Sequence, residues 1–234
     1  MADAPVGRRI VVGLLGLGVL GVAFGARAAN GIAELMAPIE ERDPTGLTGL
    51  IPAAGGFRYY SISGGEPLRT PQDYRLTVGG LVERPRTYTY ADLAALPRTR
   101  MVRDFQCVTG WRVPSVPWSG VRLSDLLDAA GVAPAARALA CTSFDGADTE
   151  SLTLDQARRP DVIVALGMYG KPLTRAHGGP VRLYVAPMYG YKSLKWLSGI
   201  TLTDRVVPGF WEHNGYDVDG WVGRSNGRGD APTS

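Results

Sequence analysis

Three short stretches of this chain gather residue types capable of chemistry. The first is Phe105-Gln106-Cys107-Val108-Thr109-Gly110-Trp111, where a thiol ends an apolar run beside a glycine-containing turn. A thiol so placed reaches a cleft and serves as a soft metal ligand or a nucleophile, although a lone cysteine is equally a small buried hydrophobe. The second is His177-Gly178-Gly179-Pro180-Val181-Arg182. Backbone N–H groups in a Gly-rich turn, with a guanidinium nearby, suit a phosphate or another anion; the plainer reading is a turn with a surface arginine. The third stretch, Tyr189 to Trp196, holds Tyr191, Lys192, Ser193, Leu194 and Lys195. Its two ammonium groups, hydroxyl and aromatics line an anion-binding cleft, or else form a strand with one wet face. Together the three describe a pocket with one soft ligand and many phosphate-type donors.

Composition removes several other chemistries. The only cysteines are Cys107 and Cys141, neither in a CxxC pair, and the only histidines are His177 and His213. A Cys-rich zinc or iron–sulfur site and a His-rich metal cage are therefore excluded. One disulfide between the two cysteines is compatible with their separation in an oxidising compartment. A cysteine-protease arrangement would recruit His177 or His213 as base and Asn214 to orient it, but nothing around Cys107 resembles a nucleophile motif. No GxGxxG follows a strand, which argues against flavin or nicotinamide binding. The net charge of +3 comes without any Lys/Arg run interleaved with aromatics, so no nucleic-acid partner is expected.

The elements that must position these residues are short. Residues 1–28 read as an address: Arg8-Arg9 precede an unbroken apolar run from Ile10 to Ala26, closed by Ala26-Arg27-Ala28. That pattern fits a cleavable signal of twin-arginine type, or an uncleaved membrane anchor. Residues 29–54 read as a linker, 55–222 as the folded domain, and 223–234 as a disordered tail rich in Gly, Asn, Arg and Asp. Within the domain, Tyr74 to Val82, Arg100 to Val108, Ala138 to Phe144, Val162 to Met168, Val181 to Ala186 and Ile200 to Val206 read as strands. Thr89 opens a short helix that ends before Pro97, Ser124 caps a helix closed by Gly131, and Thr153 leads into a third ending at Ala157. Strands and short helices without a βαβ rhythm predict an α+β fold of mixed sheets rather than a doubly wound one.

The segments Phe105 to Gly131, His177 to Ile200 and Pro208 to Gly220 resemble the sulfite-oxidase-type molybdopterin oxidoreductases, especially small bacterial members related to the methionine-sulfoxide reductase catalytic subunit. The resemblance runs from about Phe57 to Gly220, and the ordered spacing of Cys, HGxPxR and KSxKW carries it. It implies a sulfite-oxidase-type molybdopterin-binding fold and a molybdenum–molybdopterin cofactor (Mo-MPT). It further implies that the Cys107 thiolate binds the metal, and that Thr142, His177, Arg182, Ser193, Leu194 and Lys195 contact the pterin or its phosphate. Tyr60 and Ser61, with Phe57 and Tyr59 beside them, fall where an N-terminal loop touches the cofactor. Two departures matter: the sulfoxide-reductase members carry asparagines in that loop, and they tend to have Asn where His177 stands.

The expectation is thus two-electron oxygen-atom transfer on a small sulfur oxoanion or a sulfoxide. The cofactor does the chemistry, while the protein supplies geometry and electrostatics. Lys192 and Tyr191 are expected to line the substrate mouth as catalytic residues, with His213 and Trp111 as further candidates. Electrons would pass through a separate carrier, a membrane haem protein or a cytochrome, because the chain has no haem or iron–sulfur motif. A cofactor inserted in the cytoplasm requires export of folded protein, which accords with a twin-arginine signal and a periplasmic or membrane-anchored location. The alternative is a non-catalytic exported binding or assembly protein on the same fold.

Overall fold

Two five-stranded sheets carry the fold. The computed structural model describes residues 57–59 and 61–233. Contacts divide the chain into Met1–Arg58 and Tyr59–Ser234, and both sheets belong to the second unit. The expected signal segment, the linker and Tyr60 lie outside the described residues. Among those described, no helix is long and apolar enough to cross a membrane.

In chain order the elements are β1 (Arg75–Gly80), β2 (Arg86–Thr89), α1 (Tyr90–Ala95), β3 (Thr99–Gln106), β4 (Arg112–Arg122), α2 (Leu123–Ala130), β5 (Ala138–Ser143), β6 (Thr149–Thr153), α3 (Leu154–Ala157), β7 (Val162–Met168), β8 (Lys171–Pro172), β9 (Arg182–Val185), a 3-10 turn (Gly190–Lys192), β10 (Leu197–Thr203) and α4 (Phe210–His213). The first sheet runs β2-β1-β10-β5-β6; the second runs β3-β4-β7-β8, with β9 also on β7. Among the described residues only β1 and β10 pair in parallel, and the other strand pairs are antiparallel. Mixed sheets with few, short helices are the α+β architecture expected from the sequence.

The apolar pattern explains the layering. Val162 to Met168 is buried at every position, as a strand covered on both faces must be. In α2, Leu123, Leu126, Leu127 and Ala130 recur at helical spacing and bury one face in the shared core against β1, β4 and β7. Each leucine so buried contributes about 1.5–3 kcal/mol. Helix α2 begins differently from expectation. Arg122 stands at its cap without a side-chain hydrogen bond, and the Ser124 hydroxyl turns to Asp125. In α1 and α3, Thr89 and Thr153 do form reciprocal caps, with Asp92 and Gln156.

The longest strand, β4, carries Pro114 and Pro117, which disguise it in the sequence. Pro114 and Ser115 occupy a register shift opposite Arg103–Phe105, and Pro117 lies one residue beyond the pairing with β7, which ends at Trp118. Both prolines thus sit where the ladder is interrupted or ends. Farther along, Gly120 lets β4 approach β7 closely: a Cβ there would stand 2.2 Å from the Val164 carbonyl oxygen. Gly120→Ala is therefore expected to destabilise the protein by about 1–3 kcal/mol through overpacking. Urea unfolding measures it, and an unchanged midpoint would contradict the close approach.

The tail departs most from expectation. Residues 223–233 are hydrogen-bonded to the body rather than loose: Thr233 Oγ1 donates to Ala186 O at 2.9 Å, and Tyr189 OH donates to Asp230 at 2.9 Å.

Candidate active site

Strand β3 delivers Cys107 into a tight turn. The Cys107 N–H donates to Trp111 O at 2.9 Å and the Gly110 N–H to Cys107 O at 3.0 Å, after which β4 starts. Gly110, at φ 102°, supplies a backbone conformation that side chains disfavour. The Cys107 thiol is half-buried, with Sγ 3.2 Å from the Thr109 hydroxyl. The other cysteine, Cys141, is also a free thiol but is fully enclosed on β5, where burial pushes its pKa up.

Phe105, two residues before Cys107, joins this turn to the other two stretches. Its ring stacks on Trp111 at 5.7 Å. Its far side lies against Gly190, where a Cβ would stand 2.4 Å from the ring, and the Arg182 guanidinium sits 5.4 Å from its centroid. Arg182 itself is buried at the start of β9. Its described hydrogen bonds all go to backbone carbonyls: His177 O at 3.0 Å, Ser193 O, and Leu183 O at 3.3 Å. The guanidinium thus clamps the His177 turn to the Ser193 segment. Burial lowers its pKa to about 10, which leaves it charged at neutral pH.

His177 and Lys195 complete the cradle. His177 is buried, and its Nε2 lies 3.2 Å from Tyr59 OH. Burial, helped by the charges of Arg182 and Lys195, lowers the imidazole pKa to about 3, so the ring is neutral at physiological pH. Lys195 Nζ donates to Ala176 O at 3.3 Å and lies 4.5 Å from the Trp196 ring centroid. Burial and Arg182 bring its pKa down to about 8, against the opposing pull of Glu66, Asp148 and Asp145. Gly178, at φ 92°, packs on the Lys195 stem so closely that a Cβ would stand 2.9 Å from it. Phe144 N–H donates to Trp196 O at 2.8 Å, which brings the end of β5 alongside. There Thr142 is exposed, its hydroxyl over Gly199.

The remaining expected residues divide. Ser193 is buried, and its hydroxyl accepts from Val185 N–H at 2.9 Å; Leu194 is a core side chain whose carbonyl accepts from Leu183 N–H at 2.9 Å. Ser61 is near the surface and bonded within its own loop, to Ser63 and Gly65. Tyr191 is tied down by donating to Asp217 O at 2.7 Å and accepting from Asn226 at 3.1 Å. His213 Nδ1 lies 2.6 Å from the carbonyl oxygen of Gly209, the residue that caps α4.

Lys192 overturns its expectation. It is fully buried and lines no mouth: Nζ pairs with Glu150, with Glu212 at 2.8 Å, and donates to Val218 O at 3.0 Å. A buried ammonium between two buried carboxylates satisfies the demand that charges in an apolar interior be paired. The sequence reading also missed Asp148. Its Oδ1 is buried without a hydrogen-bond partner among the described residues, and burial together with Asp145 raises its pKa to about 7. No local motif marks it, because its environment is built by a turn that closes only in the fold.

The family described as "Oxidoreductase molybdopterin binding domain" matches residues 63–211. The chain is 39% identical over 147 residues to the uncharacterized oxidoreductase YuiH of Bacillus subtilis, covering 63% of this chain and 74% of that protein. It is 31% identical to the protein-methionine-sulfoxide reductase catalytic subunit MsrP of Ralstonia nicotianae, covering 60% of this chain and 47% of the relative. It is 30% identical to the sulfite oxidase of Arabidopsis thaliana, covering 63% and 46%. The chain thus spans about half the length of those last two relatives. Among solved structures, the sulfane dehydrogenase SoxCD from Paracoccus pantotrophus superposes with a TM-score of 0.57 at 29% identity, covering 62% of this chain and 41% of that one. With a match over more than half of its length, the chain belongs to the oxidoreductase molybdopterin binding domain family.

Proposed function

We propose that this chain is a molybdenum–molybdopterin oxidoreductase in which Cys107 supplies the protein's thiolate ligand to the metal. The observation that carries this reading is the joining, through Phe105, of the Cys107 turn to a cradle holding two cations, buried Arg182 and half-buried Lys195. The donor set fits the group. Among the described residues no cluster of three or more His, Cys, Asp or Glu side chains stands ready for a metal, so an ion on Cys107 would bring its other ligands with it. A dithiolene pterin does so, and a thiolate beside it suits a redox metal.

When bound, the cofactor supplies two-electron oxygen-atom transfer. The chain's own residues bind and orient it. Arg182 and Lys195 offset the charge of its phosphate, while neutral His177 offers a hydrogen bond without adding to the positive field. Thr142 stands at the rim, and the Ser193–Lys195 backbone is held rigid by Arg182. Tyr60 and Ser61 stand in the sequence where the family resemblance puts contacts to the pterin's edge. The substrate is a small sulfur oxoanion or a sulfoxide. Oxidation adds an oxygen from water to sulfur and releases two electrons and two protons; reduction runs the reverse. The electrons pass to or from a separate haem protein or cytochrome, and residues 1–28 direct export to the periplasmic side.

The test is metal and pterin content after expression in a cofactor-competent host. Wild type is expected to carry both near stoichiometrically. Cys107→Ser should lose turnover by at least about a hundredfold, the scale on which even outer-shell changes at metal sites act. Well-folded wild type without metal or pterin would overturn the reading and leave an exported binding protein in its place.

A further inference from the structure

The C-terminal segment lies beyond the part of the chain matched to the family, which ends at residue 211, yet it closes directly over the turn that carries Cys107. Arg228 lies on the bare backbone of that turn: a Cβ at Gly110 would stand 2.8 Å from Arg228 Nη2. The guanidinium is aimed from behind, since its Nε donates to Asp230 at 2.8 Å and Tyr189 OH holds the same carboxylate at 2.9 Å. Tyr189 is buried, so this support comes from the body of the fold.

A second latch acts from the other side. Arg112, the first residue after the turn, donates to the carbonyls of Ala231 and, at 3.4 Å, Pro232. The same guanidinium reaches back to Gln106 and, at 3.3 Å, to Asp104 on β3. The turn is therefore gripped at both of its strands and at its glycine. The segment itself is anchored at each end: Trp221 bridges to Met188, Val222 N–H donates to Pro187 O at 3.2 Å, and Thr233 donates to Ala186 O. Between these points it doubles back so that a Cβ on Gly223 would meet the Asp230 carbonyl at 2.2 Å, which makes it a closed loop packed on its own backbone.

We propose that residues 221–233 are a strap that holds the Cys107 turn in one geometry, with Arg228 and Arg112 as positioning residues. The significance of that turn for catalysis rests on the function proposed above. A ligand carried on a turn gains precision when its neighbours lock it, and a displacement of an ångström at a reacting centre is costly. The strap does for the Cys107 turn what outer-shell hydrogen bonds do for metal-bound side chains generally.

The test uses the full-length chain and two variants, Arg228→Ala and Asp230→Asn; the second leaves the arginine in place but releases its aim. In cofactor-free protein, the reaction of Ellman's reagent with Cys107 reports how often the turn opens, because fully buried Cys141 does not react in the native state. Both variants are expected to react about tenfold faster than wild type, at the lower end of outer-shell effects, with near-UV circular dichroism unchanged. In loaded protein, the electron paramagnetic resonance signal of the metal should shift or broaden, and kcat should fall with little change in KM. Labelling within twofold of wild type in a folded variant would overturn the strap, and if Arg228→Ala fails to fold, Asp230→Asn carries the measurement. Metal content of wild type is measured separately. Its absence, alongside accelerated labelling in the variants, would remove the function proposed for Cys107 while leaving the strap in place.

Discussion

Lys192→Met is expected to destabilise the fold by about 3–5 kcal/mol, the cost of removing one partner from a buried ion pair and stranding the other. Lys192, Glu150 and Glu212 have side chains that are 0%, 0% and 2% exposed, so solvent cannot screen the loss. The triad is not symmetric. Burial drives the Glu150 pKa well up, and proximity to Glu212 drives it further, with Lys192 opposing. Burial would raise Glu212 as well, but the neighbouring Glu150 side chain and the charge of Lys192 bring it below the usual value. The Lys192 ammonium therefore holds the two carboxylates together, while Glu150 Oε2 is buried without a hydrogen-bond partner among the described residues. Once Lys192 is gone, Glu212 becomes an uncompensated buried charge, so Lys192→Met with Glu212→Gln should recover part of the loss. Urea unfolding of the single and double variants measures this. A single-variant cost below about 1 kcal/mol, within the range of exposed pairs, would show that the triad is open to water.

The triad shows why a motif announces its chemistry without announcing which member performs it. Tyr191, Lys192, Ser193 and Lys195 look interchangeable as donors in the sequence. In the fold, the 3-10 turn Gly190–Lys192 points Lys192 inward, and Gly220 packs so closely on it that a Cβ there would stand 2.5 Å from its stem. Lys195, three residues on, emerges beside the His177 turn. No alternation distinguishes the two ammonium groups, because the segment is neither strand nor regular helix. Arg182 was legible as a cation after a Gly-rich turn, but its position at the buried start of β9 gives it carbonyl partners, and those depend on where Ser193 comes to lie.

The elements themselves were more legible where a single period governs them. Val162–Met168 coincides with the expected run because an all-apolar strand can only be buried. The threonine caps of α1 and α3 follow from side-chain hydrogen bonds within three residues. Strand β4 was not legible, since its two prolines are tolerated only by virtue of what β3 and β7 do beside it. The order of the tail is hidden in the sequence for a related reason. Its Gly, Asn and Arg content favours turns, and turns packed on a body become ordered through partners such as Arg112 and Ala186 that lie far away in the sequence.

Asp148 and His177 make opposite contributions to the pH dependence of stability, and their separation is the second large effect. Asp148 has its folded pKa raised to about 7 from 3.8, chiefly by burial and then by Asp145, with Lys195 and the Thr149 N–H opposing. A carboxyl raised in this way contributes stability that is complete below pH 3.8 and is lost as pH climbs through about 7. His177 is lowered to about 3 from 6.5, so its contribution is complete above pH 6.5 and is lost as pH falls toward 3. Between about pH 4 and 6.5 the unfolded chain holds a proton on His177 that the folded chain lacks, and the folded chain holds one on Asp148 that the unfolded chain lacks. The two slopes cancel. Asp148→Asn removes one of them. In cofactor-free protein the variant should match wild type near pH 4, then gain on it by about 1.4 kcal/mol per pH unit, levelling above pH 7 at no more than about 4 kcal/mol. Unfolding free energies at intervals from about pH 4 to 8 measure the difference directly. A difference that stays constant across that range would mean that Asp148 is ionised throughout, its charge taken up by Lys195 and Arg182. A difference that grows as described identifies Asp148 as a carboxyl kept neutral by its surroundings, which leaves the positive charge of Lys195 and Arg182 available to an anion in the cradle.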